Sequence, residues 1–153
     1  MKIVITGFMG CGKTLVARKL ARHLNLTMID LDERITEKEG RSPAQLIVEE
    51  GEAAFRLIES ATLRELLEEE TAHIIALGGG AWIQEINRNL INQEGCVSIW
   101  LDVPFEVCWA RIEASDENRP LGKTKEQAKA LYDQRRPIYQ LADIRVENSH
   151  GSH

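Results

Sequence analysis

Cysteine is scarce in this chain of 153 residues, and Cys11, Cys96 and Cys108 lie far apart. That spacing fits neither a disulfide framework nor a zinc site with paired cysteines, and it points to a reducing compartment. His23, His73, His150 and His153 are equally scattered and are assigned no metal. No apolar stretch approaches the roughly 18 to 20 residues of a membrane-spanning helix, and the run Ile3 to Ile5 passes straight into glycine. Neither a membrane span nor a secretory leader is therefore expected. A basic excess is also missing: the formal charge of -5 argues against a general nucleic-acid surface, which needs a basic stripe. Internal repeats and low-complexity linkers are absent.

What is present is ordinary globular material. Hydrophobic residues make up 43% and charged residues 28%, which excludes both a disordered and a membrane composition. The length suits one domain with a core that needs no staples. The expectation is a single cytoplasmic domain over residues 1–147, with a polar tail over 148–153.

Lys2-Ile3-Val4-Ile5-Thr6 is a β-branched run bounded by Gly7, which predicts a buried strand. From Lys13 onward, Val16, Ala17, Leu20, Ala21 and Leu24 recur at three- and four-residue spacing, which predicts a helix. Between them, Gly7-Phe8-Met9-Gly10-Cys11-Gly12-Lys13-Thr14 meets the pattern G-x-x-x-x-G-K-[ST] in full. Strand before and helix after give that motif its meaning. Gly10, Cys11 and Gly12 would turn backbone N–H groups toward phosphate oxygens, Lys13 would reach the β and γ phosphates, and Thr14 would ligate Mg²⁺. Cys11 is a loop residue in this reading, with no thiol chemistry.

Further strands are predicted at Met28 to Asp30, Ile74 to Leu77, Val97 to Leu101 and Ile144 to Val146. A polar helical region runs through Glu39 to a Gly40-Arg41-Ser42-Pro43 break, where Ser42 caps the next helix. Strands alternating with helices imply a parallel sheet covered on both faces, with ligands at the carboxyl ends of the strands. The polar stretch Ser115 to Gln127 holds Pro120 and Gly122 and is assigned as a lid, bounded at about 113–127.

A phosphate loop alone does not separate kinases from GTPases, ATPases or transporters. Beyond it the chain carries Asp30-Leu31-Asp32, Gly51-Glu52-Ala53-Ala54-Phe55-Arg56-Leu57-Ile58-Glu59, Gly78-Gly79-Gly80, Asn118-Arg119-Pro120-Leu121 and Arg135-x-Pro137-x-Tyr139. This ordered set resembles the shikimate kinase family, from the phosphate loop to Asp143. The resemblance implies an α/β fold of the P-loop NTPase type, nucleoside-monophosphate-kinase-like, with three layers around a parallel five-stranded sheet. It implies transfer of the γ-phosphoryl group of ATP to the 3-hydroxyl of shikimate, with Mg²⁺, in aromatic amino-acid biosynthesis. The implied partners are ATP and shikimate, with neither nucleic acid nor membrane, and a monomer is expected.

The same resemblance distributes roles. Asp32 contacts the acceptor hydroxyl, as orienting group or general base, and Asp30 lies nearer the Mg²⁺ and its waters. Arg56 and Arg135 supply guanidinium forks for the acceptor's carboxylate. Glu59, three residues after Arg56, holds its guanidinium if that segment is helical; an isolated pair at this spacing is more commonly a solvated one. Gly78, Gly79 and Gly80 let backbone approach the acceptor and the γ-phosphate. Arg119 brings positive charge to the transferring group from the lid, and Arg111 stacks on adenine. Trp82, Trp100, Trp109 and Phe105 are assigned to packing. The strand before the glycine triplet carries no Walker B aspartate, in agreement with this family.

The chain departs from the family pattern in three places. The segments from Arg119 to Arg135 and from Tyr139 to Ala142 are slightly short. Family members continue past the last strand with an adenine-contacting loop and a helix, whereas Glu147 to His153 has no room for a helix. The expectation is a fold lacking that helix, with lowered stability or compensating self-association and weakened adenine selectivity. Two other readings stand beside the main one: a P-loop kinase of gluconate or nucleotide type, and a nucleotide-binding module without catalysis.

Overall fold

The computed structural model describes residues 2–114 and 124–147. Five strands, β1 (Ile3–Thr6), β2 (Met28–Asp30), β3 (Ile74–Ala76), β4 (Val97–Asp102) and β5 (Ile144–Glu147), form one parallel sheet in the order β2-β3-β1-β4-β5. β1 lies at its centre, with Val4 in register with Ile75 on one side and Ser98 on the other. From β1 the chain crosses over β3 to reach β2, then later returns to the opposite side at β4. The switch point is therefore at the carboxyl end of β1, where an open parallel sheet gathers ligands.

Alternation along β1 splits the core between the two faces. Ile5 joins Ala17 and Ala21 of α1 (Lys13–Leu24), together with Ile74 and Ala76, and the two alanines let this helix lie close to the strands. Val4 belongs to a larger cluster containing Phe8, Leu63, Leu66, Ile75, Trp82, Trp100 and Tyr139. That side receives α2 (Leu31–Glu39), α3 (Pro43–Glu50), α4 (Glu52–Glu68), α5 (Glu85–Gln93), α6 (Phe105–Ala114) and α7 (Lys125–Tyr139). Trp82, Trp100, Trp109 and Phe105 are all buried there, as the apolar context of each predicts.

Local chemistry sets the element ends. Ser42 caps α3 through a capping box with Gln45, and Pro43 occupies the first turn, where its missing N–H costs nothing. Two boundaries differ from expectation. The polar stretch assigned to a lid as far as Gln127 gives way to α7 at Lys125, because Thr124 and Gln127 form a second capping box. At the other end, α6 continues through Ala114. Asp30 and Asp32, given separate roles by the resemblance, also stand in different elements: Asp30 ends β2 and caps α2 by accepting from the Glu33 N–H at 3.1 Å, while Asp32 sits in the helix's first turn. β5 is exposed along its whole length.

Candidate active site

The loop between β1 and α1 is shaped by two left-handed glycines. Gly10 has φ +77 and Gly12 has φ +93, conformations that side chains rarely adopt. α6 closes on them as well: a Cβ on Gly10 would stand 2.7 Å from the Cys108 carbonyl oxygen, and one on Gly12 would stand 2.8 Å from an Arg111 guanidinium nitrogen. Arg111 Nη1 donates to the Gly10 carbonyl at 3.1 Å, which fixes this arginine at the rim of the loop. Lys13 Nζ donates to the carbonyls of Gly7 at 2.9 Å and Phe8 at 3.2 Å, so the ammonium lies over the loop. Cys11 is buried, with its sulfur 4.0 Å from that ammonium.

β2 ends beside this loop. The Thr14 hydroxyl donates to Asp30 Oδ2 at 2.7 Å, which brings two hard oxygen donors together at the start of α1. Among the described residues no cluster of three or more His, Cys, Asp or Glu side chains stands together. A divalent cation here would draw its remaining ligands from phosphate and water, as Mg²⁺ commonly does.

The glycine triplet after β3 forms the opposite wall, and each glycine faces one charged side chain. A Cβ on Gly78 would fall 2.7 Å from Asp32 Oδ1, and one on Gly80 would fall 2.5 Å from Arg56 Nη2. A Cβ on Gly79 would lie 3.6 Å from Arg135 Nη1, whose real partner is the Gly79 carbonyl at 3.1 Å. Side chains from α2, α4 and α7 thus converge on three residues of backbone because those residues have no side chains of their own.

Charge in this pocket is tightly balanced. Burial, reinforced by the neighbouring Asp30 charge, pushes the Asp32 carboxyl up to about 6, while Lys13 and Arg56 pull against that rise. Arg56 Nη1 donates to Glu59 Oε1 at 2.9 Å, and the Glu59 side chain is only 1% exposed. Burial raises the Glu59 carboxyl as well, with Arg56 opposing it. The pair is no solvated helix pair: Glu59 is a buried brace for the guanidinium.

A family model described as shikimate kinase matches residues 9–153. The chain belongs to the shikimate kinase family. Shikimate kinases of similar sequence include that of Streptococcus thermophilus, 43% identical over 150 residues, which span 95% of this chain and 90% of that one. The shikimate kinase of Cereibacter sphaeroides is 39% identical over 153 residues, covering 98% of this chain and 75% of its own. Among solved structures, the Acinetobacter baumannii shikimate kinase in complex with shikimate aligns with a TM-score of 0.89 at 33% identity, over 97% of this chain and 84% of that one. The P-loop kinase fold expected from the sequence is thereby shown, and the family matched is shikimate kinase rather than a gluconate- or nucleotide-type kinase.

Within this member of the family, the structure brings Lys13, Thr14, Asp30, Asp32, Arg56, Arg135, Arg111 and the glycines of both loops to one edge of the sheet. Arg119 lies outside the described residues. Two contacts escape sequence reasoning. Tyr139, quoted from the sequence only as part of the Arg135-x-Pro137-x-Tyr139 motif and given no role, donates its hydroxyl to the Gly79 carbonyl at 2.8 Å; its four-residue offset from Arg135, which puts both on one helical face, is the available signal. Asp102, at the end of β4, accepts from Arg136 at 2.7 Å and from Arg145 Nε at 2.9 Å, a cluster that no local pattern announces.

Proposed function

We infer that this shikimate kinase transfers the γ-phosphoryl group of ATP to the 3-hydroxyl of shikimate, with Lys13, Asp32 and Arg119 catalytic and Arg56 and Arg135 holding the acceptor. The observation that carries this assignment is the meeting of Asp32, Arg56 and Arg135 on Gly78, Gly80 and Gly79, across from Lys13. Two guanidinium groups suit the acceptor's carboxylate, and a carboxylate between them and the phosphate loop suits its hydroxyl.

In the reaction, the acceptor oxygen forms a bond to the γ phosphorus as the bond to the β–γ bridging oxygen breaks, and ADP leaves. The transition state is loose, so positioning and charge neutralisation dominate. Asp32 is ionised at neutral pH and orients the hydroxyl, yet with its carboxyl near 6 it is basic enough to receive the proton that the hydroxyl gives up. Lys13 and, from the polar 115–123 segment, Arg119 neutralise negative charge on the transferring group. Gly10, Cys11 and Gly12 hold phosphate by their backbone, and Arg111, at the loop rim, stacks on the adenine. Thr14 would hold Mg²⁺ directly and Asp30 through water, and the ion would neutralise phosphate charge there.

Among the described residues no helix is long and apolar enough to cross a membrane, and we place the enzyme in the cytoplasm as a monomer. A coupled assay of ADP release with Mg²⁺-ATP tests the reading, with shikimate, gluconate and nucleoside monophosphates as rival acceptors. Turnover with shikimate alone is expected. ATP binding without acceptor-dependent turnover would instead identify a nucleotide-binding module.

A further inference from the structure

We propose that Tyr139 is a positioning residue for the acceptor: its hydroxyl holds the Gly79 carbonyl and so fixes both the glycine turn and the anchoring of Arg135. The inference rests on the shikimate-kinase reading of the site.

The Gly79 carbonyl accepts twice, from Tyr139 Oη at 2.8 Å and from Arg135 Nη1 at 3.1 Å. A carbonyl oxygen has two lone pairs, so this one is saturated. The donors differ in what else they must do. Arg135 is the guanidinium assigned to the acceptor's carboxylate, and any shift toward that carboxylate loosens its grip on Gly79. Tyr139 has no such second task. Its ring is 1% exposed and stacks on Trp100 with centroids 6.1 Å apart, and its chain neighbour Ile138 accepts from Trp82 Nε1 at 2.9 Å. The end of α7 is thereby pinned both to the strand β4 and to the segment that follows the triplet.

The direction of the Gly79 carbonyl sets the direction of a donor. The described residues contain no cis peptide bond, so the Gly80 N–H points opposite to the Gly79 C=O and away from α7. Among the described residues, no backbone or side-chain acceptor takes the N–H of Gly79 or Gly80. Holding the carbonyl on Tyr139 therefore keeps the Gly80 N–H turned away from α7, on a turn whose Gly80 abuts the Arg56 guanidinium. Without the hydroxyl this peptide is held only by Arg135, whose guanidinium is also assigned to the acceptor, so the turn and Arg135 lose the anchor that does not move with the acceptor.

The test is Tyr139→Phe, which keeps the ring and removes one oxygen, beside Tyr132→Phe as control. Tyr132 is also buried; its hydroxyl donates to the Val103 carbonyl at 2.7 Å and accepts from Arg136 at 3.1 Å, neither of them a residue of the acceptor site. Wild-type turnover of shikimate is measured first, and its absence sinks the functional reading rather than this inference. With turnover present, Tyr139→Phe is expected to raise the KM for shikimate about fivefold, the effect of one hydrogen bond, with the KM for ATP and kcat within about twofold. Tyr132→Phe should lower Tm without that split. The Arg135→Lys variant should make the two substitutions non-additive, because both act on the Gly79 carbonyl. Should Tyr139→Phe fold poorly, shikimate titration of its ATP-stabilised folded fraction reads the same change as a weakened Kd. An unchanged shikimate KM or Kd, an equal rise for both substrates, or additivity with Arg135→Lys would each overturn the proposal.

Discussion

At the scale of single residues, the site works by placing charge where water is scarce. Asp32 ordinarily titrates near 3.8, and burial first, then the Asp30 charge, lifts it to about 6. Between those two values the folded chain binds a proton that the unfolded chain has released, so this group's contribution to stability declines as pH rises through that window. Under the proposed mechanism activity has the opposite sign, because there the ionised carboxylate orients the acceptor hydroxyl. The kcat/KM for shikimate is expected to rise with pH through about 6 while thermal stability falls over the same window. Asp32→Asn should remove the activity step and reduce the stability slope; Glu59, also raised by burial, keeps the remainder. Parallel pH profiles of turnover and Tm on both proteins check the pairing.

Arg56 and Glu59 carry a second residue-level consequence. In the proposed site, removing the guanidinium deletes charge-assisted hydrogen bonds to the acceptor, worth about 1.5 to 3 kcal/mol, so Arg56→Ala should raise the KM for shikimate on the order of 10- to 100-fold. It also strands a buried carboxyl. Glu59 would take up a proton rather than stay charged without its partner, at a cost of roughly 1 to 3 kcal/mol. Urea denaturation should register that loss, and Glu59→Gln in the Arg56→Ala background should recover part of it. Turnover limited by a lost binding fork, with kcat nearly preserved, separates this from loss of Lys13, where kcat itself should fall.

The elements matter for where they end. β3 stops at Ala76 and hands the chain to three glycines, and α2, α4 and α7 each deliver one charged side chain into the space those glycines leave. A methyl group at Gly80 would sit 2.5 Å from an Arg56 nitrogen and displace the guanidinium; one at Gly78 would sit 2.7 Å from an Asp32 oxygen. Gly80→Ala should therefore raise the KM for shikimate, and Gly78→Ala should chiefly lower kcat by about 100-fold, the cost of a catalytic group misplaced on the order of 1 Å. Steady-state kinetics on the two single variants decides it. Equal effects on both parameters in both variants would mean that the glycines serve only to let the turn bend.

The element boundaries also show how local signals read. Ser42-Pro43 with Gln45 and Thr124 with Gln127 are both capping boxes, and both start helices. The first was legible beside a glycine break. The second was masked by the polarity of its surroundings, which drew the lid too far, although the T-x-x-Q pattern was there to be read.

For the molecule as a whole, the parallel sheet puts every loop of the site at one edge, and its outer strand is the weak point. β5 pairs only with β4 among the described strands and is exposed throughout, including Ile144 and Val146. What ties it down is Asp102, which accepts from both Arg136 and Arg145, with the two guanidinium groups 5.0 and 5.5 Å from the Trp100 ring. Burial opposes the Asp102 charge, but the two arginines outweigh it and hold the carboxyl below its usual value. That stabilisation is present at neutral pH and is lost as acid protonates the group. Hydrogen exchange should be faster along β5 than along β1 or β3, and Asp102→Asn should accelerate it about tenfold while leaving the central strands protected. Uniform acceleration across all five strands would show instead that β5 opens only with the whole domain.

The sequence by itself determined the elements and the phosphate loop. Ile3 to Thr6, Gly7 to Thr14 and the repeat from Val16 to Leu24 are local patterns whose period and glycines dictate conformation within a few residues. It also marked Asp32, Arg56, Arg135 and the three glycines as belonging together, through their ordered resemblance to a family. Only the tertiary structure decided that each glycine faces one of those side chains, that Asp30 and Asp32 divide between a cap and a pocket, and that Tyr139 and Arg135 share one carbonyl. The reason is range. Helix period and turn chemistry act over a few residues, whereas Asp32 and Gly78 or Gly79 and Tyr139 meet only because strand order and helix packing bring distant segments to the same edge of the sheet.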